Sequence, residues 1–320
     1  QQYAVMLRCV RQRRSTSGLL TTKTYYFNQP SGGNTVKLTD KAVLGTLSIS
    51  VPSFNKLDKQ ISLENTITAG AIAGSHRMHK SLLPTSDLLK EIKQKSTEIR
   101  STFYNNTLPW GMKGIALIPS ANFLHFMTLF RKEKAAFEKL VDKFCPMYPQ
   151  LVEVAKTDLG TSYKSNDYPH PNDIRCKFSM DMTISNVPAD DFRCAGMSDA
   201  EADIIRADIQ ARTKQAAQDA MAEAWQRLYD RVKHLADKLN DPAATFKNTT
   251  VEHITELCSI LPRLNFADDP NLEAMRQEVE GRLVGHHPDS LRNDPDLRRD
   301  TASDAKDIMA KMGAFMGASA

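Results

Sequence analysis

Several things are scarce in this sequence, and each scarcity excludes something. No run approaches the ~18–20 unbroken apolar residues of a membrane-crossing helix, which argues against a membrane partner. Cysteine occurs five times, an odd number with no CxxC pair. That argues against a disulfide framework and for reduced thiols in a cytosolic setting. GxGxxG, Walker A, HExxH and GxSxG are all missing, so no common nucleotide, zinc-protease or serine-hydrolase signature is present and no cofactor is implied. Acid is absent from residues 1–39, which hold Arg8, Arg11, Arg13, Arg14, Lys23 and Lys37.

What is present is an ordinary globular composition, 41% hydrophobic and 25% charged over 320 residues. This is enough chain for one large or two modest domains with a real core. Charge is placed unevenly. Residues 40–145 hold 15 basic and 9 acidic residues, and residues 146–320 hold 21 and 29. The first 145 residues are therefore +12 and the remainder −8, an asymmetry that suits a polyanion on one half and another partner on the other. The acid-free, Arg- and Ser-rich start has the composition of an organelle transit peptide. The simpler expectation is a disordered extension over 1–36 upstream of the folded protein.

Periodicity predicts an α+β, mainly helical fold: a small antiparallel sheet with strands near 44–51, 113–118 and 174–186, packed by helices. Leu47, Ile49 and Val51 alternate with Ser48 and Ser50. Ile174, Cys176, Phe178, Met180, Met182 and Ile184 alternate with polar residues, which predicts one long strand with Cys176 inside. Helices are expected from Ser86 to Asn105 and from Ser120 to Cys145-Pro146, with another starting at Pro149. Ser198-Asp-Ala-Glu201 matches a capping box. The Gly- and Pro-free stretch behind it predicts a helix of about 60 Å to Asn240. Three shorter helices should follow: one carrying Val251–Leu261 and stopped by Pro262, one carrying Leu272–Leu283, and, after a polar Pro-containing link over 286–300, one carrying Ile308–Met316. The expected organisation is 1–36, an α+β domain over 37–195, a long helix over 196–240 and a helical region over 241–320.

Three constellations could carry function. Lys90, Lys93, Lys95, Arg100, Lys113, Arg131 and Lys132 would suit nucleic acid, with Trp110 as a stacking surface, although a buried anchor is the commoner fate of such a Trp. Asp167, His170 and Asp173 share one Pro-rich loop and could hold a divalent metal for a hydrolase, although Asx residues also serve as turn caps. The stripe Met221, Trp225, Leu228, Val232 and Leu235 on the long helix must be covered, either by the C-terminal helices folded back as a hairpin or by a second subunit. Breaks at Pro262, Pro270 and Pro288 make the helices an incomplete lid and favour self-association.

The ordered segments Thr107-Leu-Pro-Trp-Gly-Met-Lys-Gly-Ile-Ala-Leu-Ile-Pro119, Asp167-Tyr-Pro169, Ile174–Phe178, Val187-Pro-Ala-Asp-Asp-Phe-Arg193 and Ala305–Met316 resemble a domain family of unknown function. That family occurs in tailed phages and integrative conjugative elements. The resemblance spans about residues 42–318. It implies proximity to MoxR-like AAA+ ATPases and von Willebrand A-type proteins, and it brings no catalytic residues. The expectation is thus a non-enzymatic accessory or scaffold protein in a bacterial cytoplasm. It would be a homo-oligomer acting with an AAA+ ATPase; nucleic-acid binding is the first alternative and metal-dependent hydrolysis the second.

Overall fold

A computed structural model describes residues 37–189, 193–241 and 248–317. The proposed extension over 1–36 lies outside them. In chain order the elements are α1 (Leu38–Lys41), β1 (Ala42–Ser50), β2 (Asn55–Leu57), α2 (Lys59–Thr68), β3 (His79–Ser81) and α3 (Asp87–Asn105). Then come β4 (Leu108–Pro109), β5 (Ala116–Pro119), α4 (Ser120–Leu159), β6 (Ser179–Asn186) and α5 (Asp199–Asn240). The last four are α6 (Asn248–Leu264), α7 (Pro270–Val279), α8 (Pro288–Asn293) and α9 (Pro295–Phe315). The fold is α+β and mostly helical, as the periodicity predicts.

The main sheet has the order β4-β5-β1-β6, and its pairs are antiparallel. Its two faces meet different layers because side chains alternate along a strand. Val43, Leu47, Ile49, Ile118, Met180 and Met182 turn towards α3 and α4. Leu44, Leu108 and Leu117 turn the other way, into a core shared with α5, α6 and α9. The sheet and the C-terminal helices therefore have one core in common. The far half of this second face, Thr46, Ser48 and Ser50 beside Asp181, Thr183 and Ser185, is exposed and polar. Gly45 keeps the centre tight: a Cβ there would stand 2.6 Å from Ile118 Cδ1.

The strand expected over 174–185 is shorter than its alternation suggests. Residues Pro171–Asp173 and Arg175–Lys177 form 3-10 turns, and β6 begins at Ser179. One turn of helix buries Ile174 and Phe178 together while turning Cys176 outward, so Cys176 is exposed and is not a core residue. Ile184 also leaves the core, 38% exposed at the far end of β6, an edge strand.

Two proline stops are overridden as well. The helix expected to end at Cys145-Pro146 continues through Pro146 and Pro149 as the single 40-residue α4. Buried Phe144, Tyr148 and Ala155 hold its core face on both sides of the prolines. That packing outweighs the roughly 3 kcal/mol that a mid-helix proline costs. Pro262 is likewise inside α6, and the link expected over 286–300 holds α8 and the start of α9.

α5 is the long helix foreseen, 42 residues opened by the reciprocal Ser198–Glu201 capping box. α9 runs antiparallel along it. Arg298 donates to Leu239 O and Lys238 O, both at 2.9 Å, and to Asp241 O at 2.8 Å. A cation thus satisfies the carbonyls left open at the end of α5. At the other end of α9, Phe315 meets Trp225 with ring centroids 5.7 Å apart.

Candidate functional site

The loop carrying Asp167 is held by charge. Lys56 and Lys80 face each other across the β2–β3 hairpin, an arrangement that like charges disfavour. Asp167 resolves it by bridging both, 2.8 Å to each ammonium through its two oxygens. Lys80 donates further to the Ser162 carbonyl, and Asp58 caps α2 by accepting from Ile61 N at 3.2 Å. Burial alone would raise the Asp167 carboxyl, but hydrogen bonds and charge from Lys56 and Lys80 outweigh it and hold it below its ordinary value. Asp58 is also held low, first by the Ile61 amide and, against burial, by Lys80. Two phenols close the loop, Tyr148 to Pro169 O at 3.0 Å and Tyr168 to Leu82 O at 2.8 Å.

This corrects the metal expectation. Asp167 has its oxygens committed to lysines. The His170 ring accepts from Asn172 N at 3.3 Å and caps a turn, and Asp173 is exposed on that turn. No group of three or more His, Cys, Asp or Glu able to hold a metal occurs among the described residues. The residues that sequence reasoning missed here are Lys56, Lys80 and Asp58. They sit on three-residue strands or at a helix start, too short to show a period.

The basic set divides. Lys93 donates to Ser53 O at 2.7 Å, and burial lowers its ammonium. Lys95 pairs with Glu133 at 2.5 Å, Arg100 donates to Ile49 O at 3.2 Å, and Lys90 pairs with Asp87 at 2.9 Å. Trp110 is buried in the core between β4 and α5, so it is an anchor and not a stacking surface. Lys113, Arg131 and Lys132 remain exposed.

The stripe Met221, Trp225, Leu228, Val232 and Leu235 is brought together, but inside the chain. Leu228, Val232 and Leu235 are fully buried against α6, α7 and α9. Trp225 Nε1 donates to Asp269 Oδ2 at 2.9 Å. The premise of an exposed patch is therefore wrong: the C-terminal helices fold back as a lid over this stripe. Their prolines did not interrupt it, because Pro270, Pro288 and Pro295 occupy first-turn positions where the missing N–H costs nothing.

No family model, no curated protein and no solved structure matches this chain. Among the described residues no helix is long and apolar enough to cross a membrane.

α5 is longer than its lid. Its contribution to the main core begins at Ala216, while α9 reaches only from Leu239 to the neighbourhood of Trp225. Residues 199–215, roughly 25 Å of helix, extend past it. On their inner side Ile209, Thr213 and Ala217 line a groove of about 540 Å³ with Leu38, Val187 and Phe266. On their outer side Ala200, Ile204, Ala207 and Ala211 are all exposed. Ile204 is 71% accessible. Steps of four, three and four put these four residues on one line.

Proposed function

We propose that the protein is a non-enzymatic accessory or scaffold protein of a phage or mobile element. It works in the host cytoplasm by docking α5 to a second copy of itself, and an AAA+ ATPase is its further partner. The observation that carries this reading is the outer line Ala200-Ile204-Ala207-Ala211, exposed among the described residues on the part of α5 that α9 does not reach, with the segment 194–197 beside Ile204. Helix pairing in coiled-coil fashion needs such a seam, and small residues let two helices approach closely. The reading moves the self-association surface from the middle of α5 to its first half.

Sedimentation velocity across a concentration series tests it. The wild type should show reversible association that Ile204→Lys abolishes. At protein concentrations too low for association the variant's melting temperature should match the wild type's, since an exposed position contributes little to the stability of the monomer. A wild type that sediments as a monomer at every concentration, or an Ile204→Lys that associates equally, would defeat the reading.

A further inference from the structure

Removing the lysines occupied by their own chain leaves a pattern on α4. Lys132, Lys139 and Lys143 are exposed, and their spacing of seven and four residues puts them on one helical line. Arg131 flanks it and exposed His125 extends it one heptad back. None of Arg131, Lys132, Lys139 and Lys143 pairs with an acid among the described residues. Of the acids beside this line, Glu133 is taken by Lys95 and Asp142 meets Arg175 at 3.3 Å, while half-buried Glu138 lies about a third of a turn round the helix from it, on the Arg131 side. The neighbouring helix α3 carries an exposed aromatic. Tyr104, 56% accessible, packs on Phe103 at 5.4 Å, and Phe103 in turn meets Phe126 of α4 at 5.9 Å.

We infer that this face of α4 binds single-stranded nucleic acid, with the lysine line following the phosphates and Tyr104 stacking a base. A row of ammoniums along a straight helix complements a chain of evenly spaced negative charges. A neighbouring exposed ring favours a nucleic acid over an acidic protein, because every nucleotide carries a flat base to stack. Strong phosphate binding would make the interaction salt-sensitive and tolerant of sequence. The surface lies on a different helix from the Ala200–Ala211 seam, so the two proposals stand or fall separately.

Fluorescence anisotropy of the full chain with a labelled oligothymidylate or oligouridylate of about 30 nucleotides decides it. Binding at about 50 mM salt should weaken steeply by 200 mM. Lys132→Glu/Lys139→Glu/Lys143→Glu should weaken it at least about tenfold and reduce the slope of log K against log salt by about 2. The corresponding triple arginine variant should bind as the wild type does. A reversal of equal charge elsewhere, Lys90→Glu/Lys113→Glu/Lys233→Glu, should leave affinity within about twofold, since only local phosphate contacts set the slope. Tyr104→Ala should weaken binding about fivefold or more. Absence of binding at low salt, equal loss in the two triple reversals, or equal affinity for polyglutamate would overturn the inference.

Discussion

Val232→Glu should cost more than about 4 kcal/mol and abolish the cooperative unfolding of the C-terminal half. Val232 has no exposed surface, and its neighbours in the core are apolar residues of α5 and of the lid. A carboxylate there finds no partner, and the chain must open to hydrate it. Urea titration followed by tryptophan fluorescence gives a direct readout, because both tryptophans of the chain, Trp110 and Trp225, belong to this one core. The variant should show a red-shifted spectrum before denaturant is added. A native spectrum and an unchanged midpoint would mean that α5 does not pack as described. The same experiment separates the buried stripe from the seam, since Ile204→Lys introduces a charge on the same helix and should leave the curve in place at protein concentrations too low for association.

Asp167→Ala should cost about 3–5 kcal/mol, the range for leaving a buried charge without its partner. Lys80 is nearly buried and would face Lys56 with nothing between them. Replacing the pair together, Asp167→Leu with Lys80→Met, should recover much of the loss, because the cost lies in the orphaned charge and not in the absent bridge. The pH dependence follows from the same groups. Asp167 and Asp58 have carboxyls held below their ordinary values in the fold. The stability they contribute is complete above the unfolded carboxylate pKa of about 4 and is lost as pH falls through the depressed folded values. Asp167→Asn should therefore narrow the difference between melting temperatures at neutral and acid pH. An equal acid response in wild type and variant would remove the bridge from the account. Burial pushes the Tyr148 and Tyr168 phenols up to about 12, which holds both neutral well above neutral pH.

The elements with long, clean periods were legible in the sequence, and so was the class of fold. The Ser198–Glu201 box and the stripe behind it define α5 from cap to end, since both are local properties of the chain. What covers the stripe is not local. Prolines at 262, 270 and 288 look like breaks in a lid, yet three of the four prolines around α6–α9 start helices and the fourth is carried within one. The alternation from Ile174 to Ile184 was misread at both ends for different reasons. Ile174 and Phe178 are four residues apart, which satisfies a helical turn as well as a strand. Ile184 sits where an edge strand leaves the core.

The candidate surfaces were only partly readable. Arg131 and Lys132 were identified, but the lysines of α3 seemed equivalent to them. Their difference is purely tertiary: α3 packs against β1 and α4, so its lysines find Ser53, Glu133 and other partners in the same chain. The Asp167 loop looked like a ligand set because three ligand-type residues are close in sequence. The two lysines that occupy Asp167 come from a hairpin about a hundred residues upstream, with strands too short to announce themselves.

On the proposed reading, α5 has a middle closed by its own chain and a first half that docks a second copy. Hydrogen–deuterium exchange measured at low and high protein concentration tests it most directly. Amides over 220–239 should be protected equally at both concentrations, whereas those over 200–214 should exchange quickly when dilute and slowly when concentrated. The contrary result is rapid exchange over 220–239 on dilution, which would show that a second subunit and not α9 completes that core. Protection of 200–214 that ignores concentration would likewise contradict the claim.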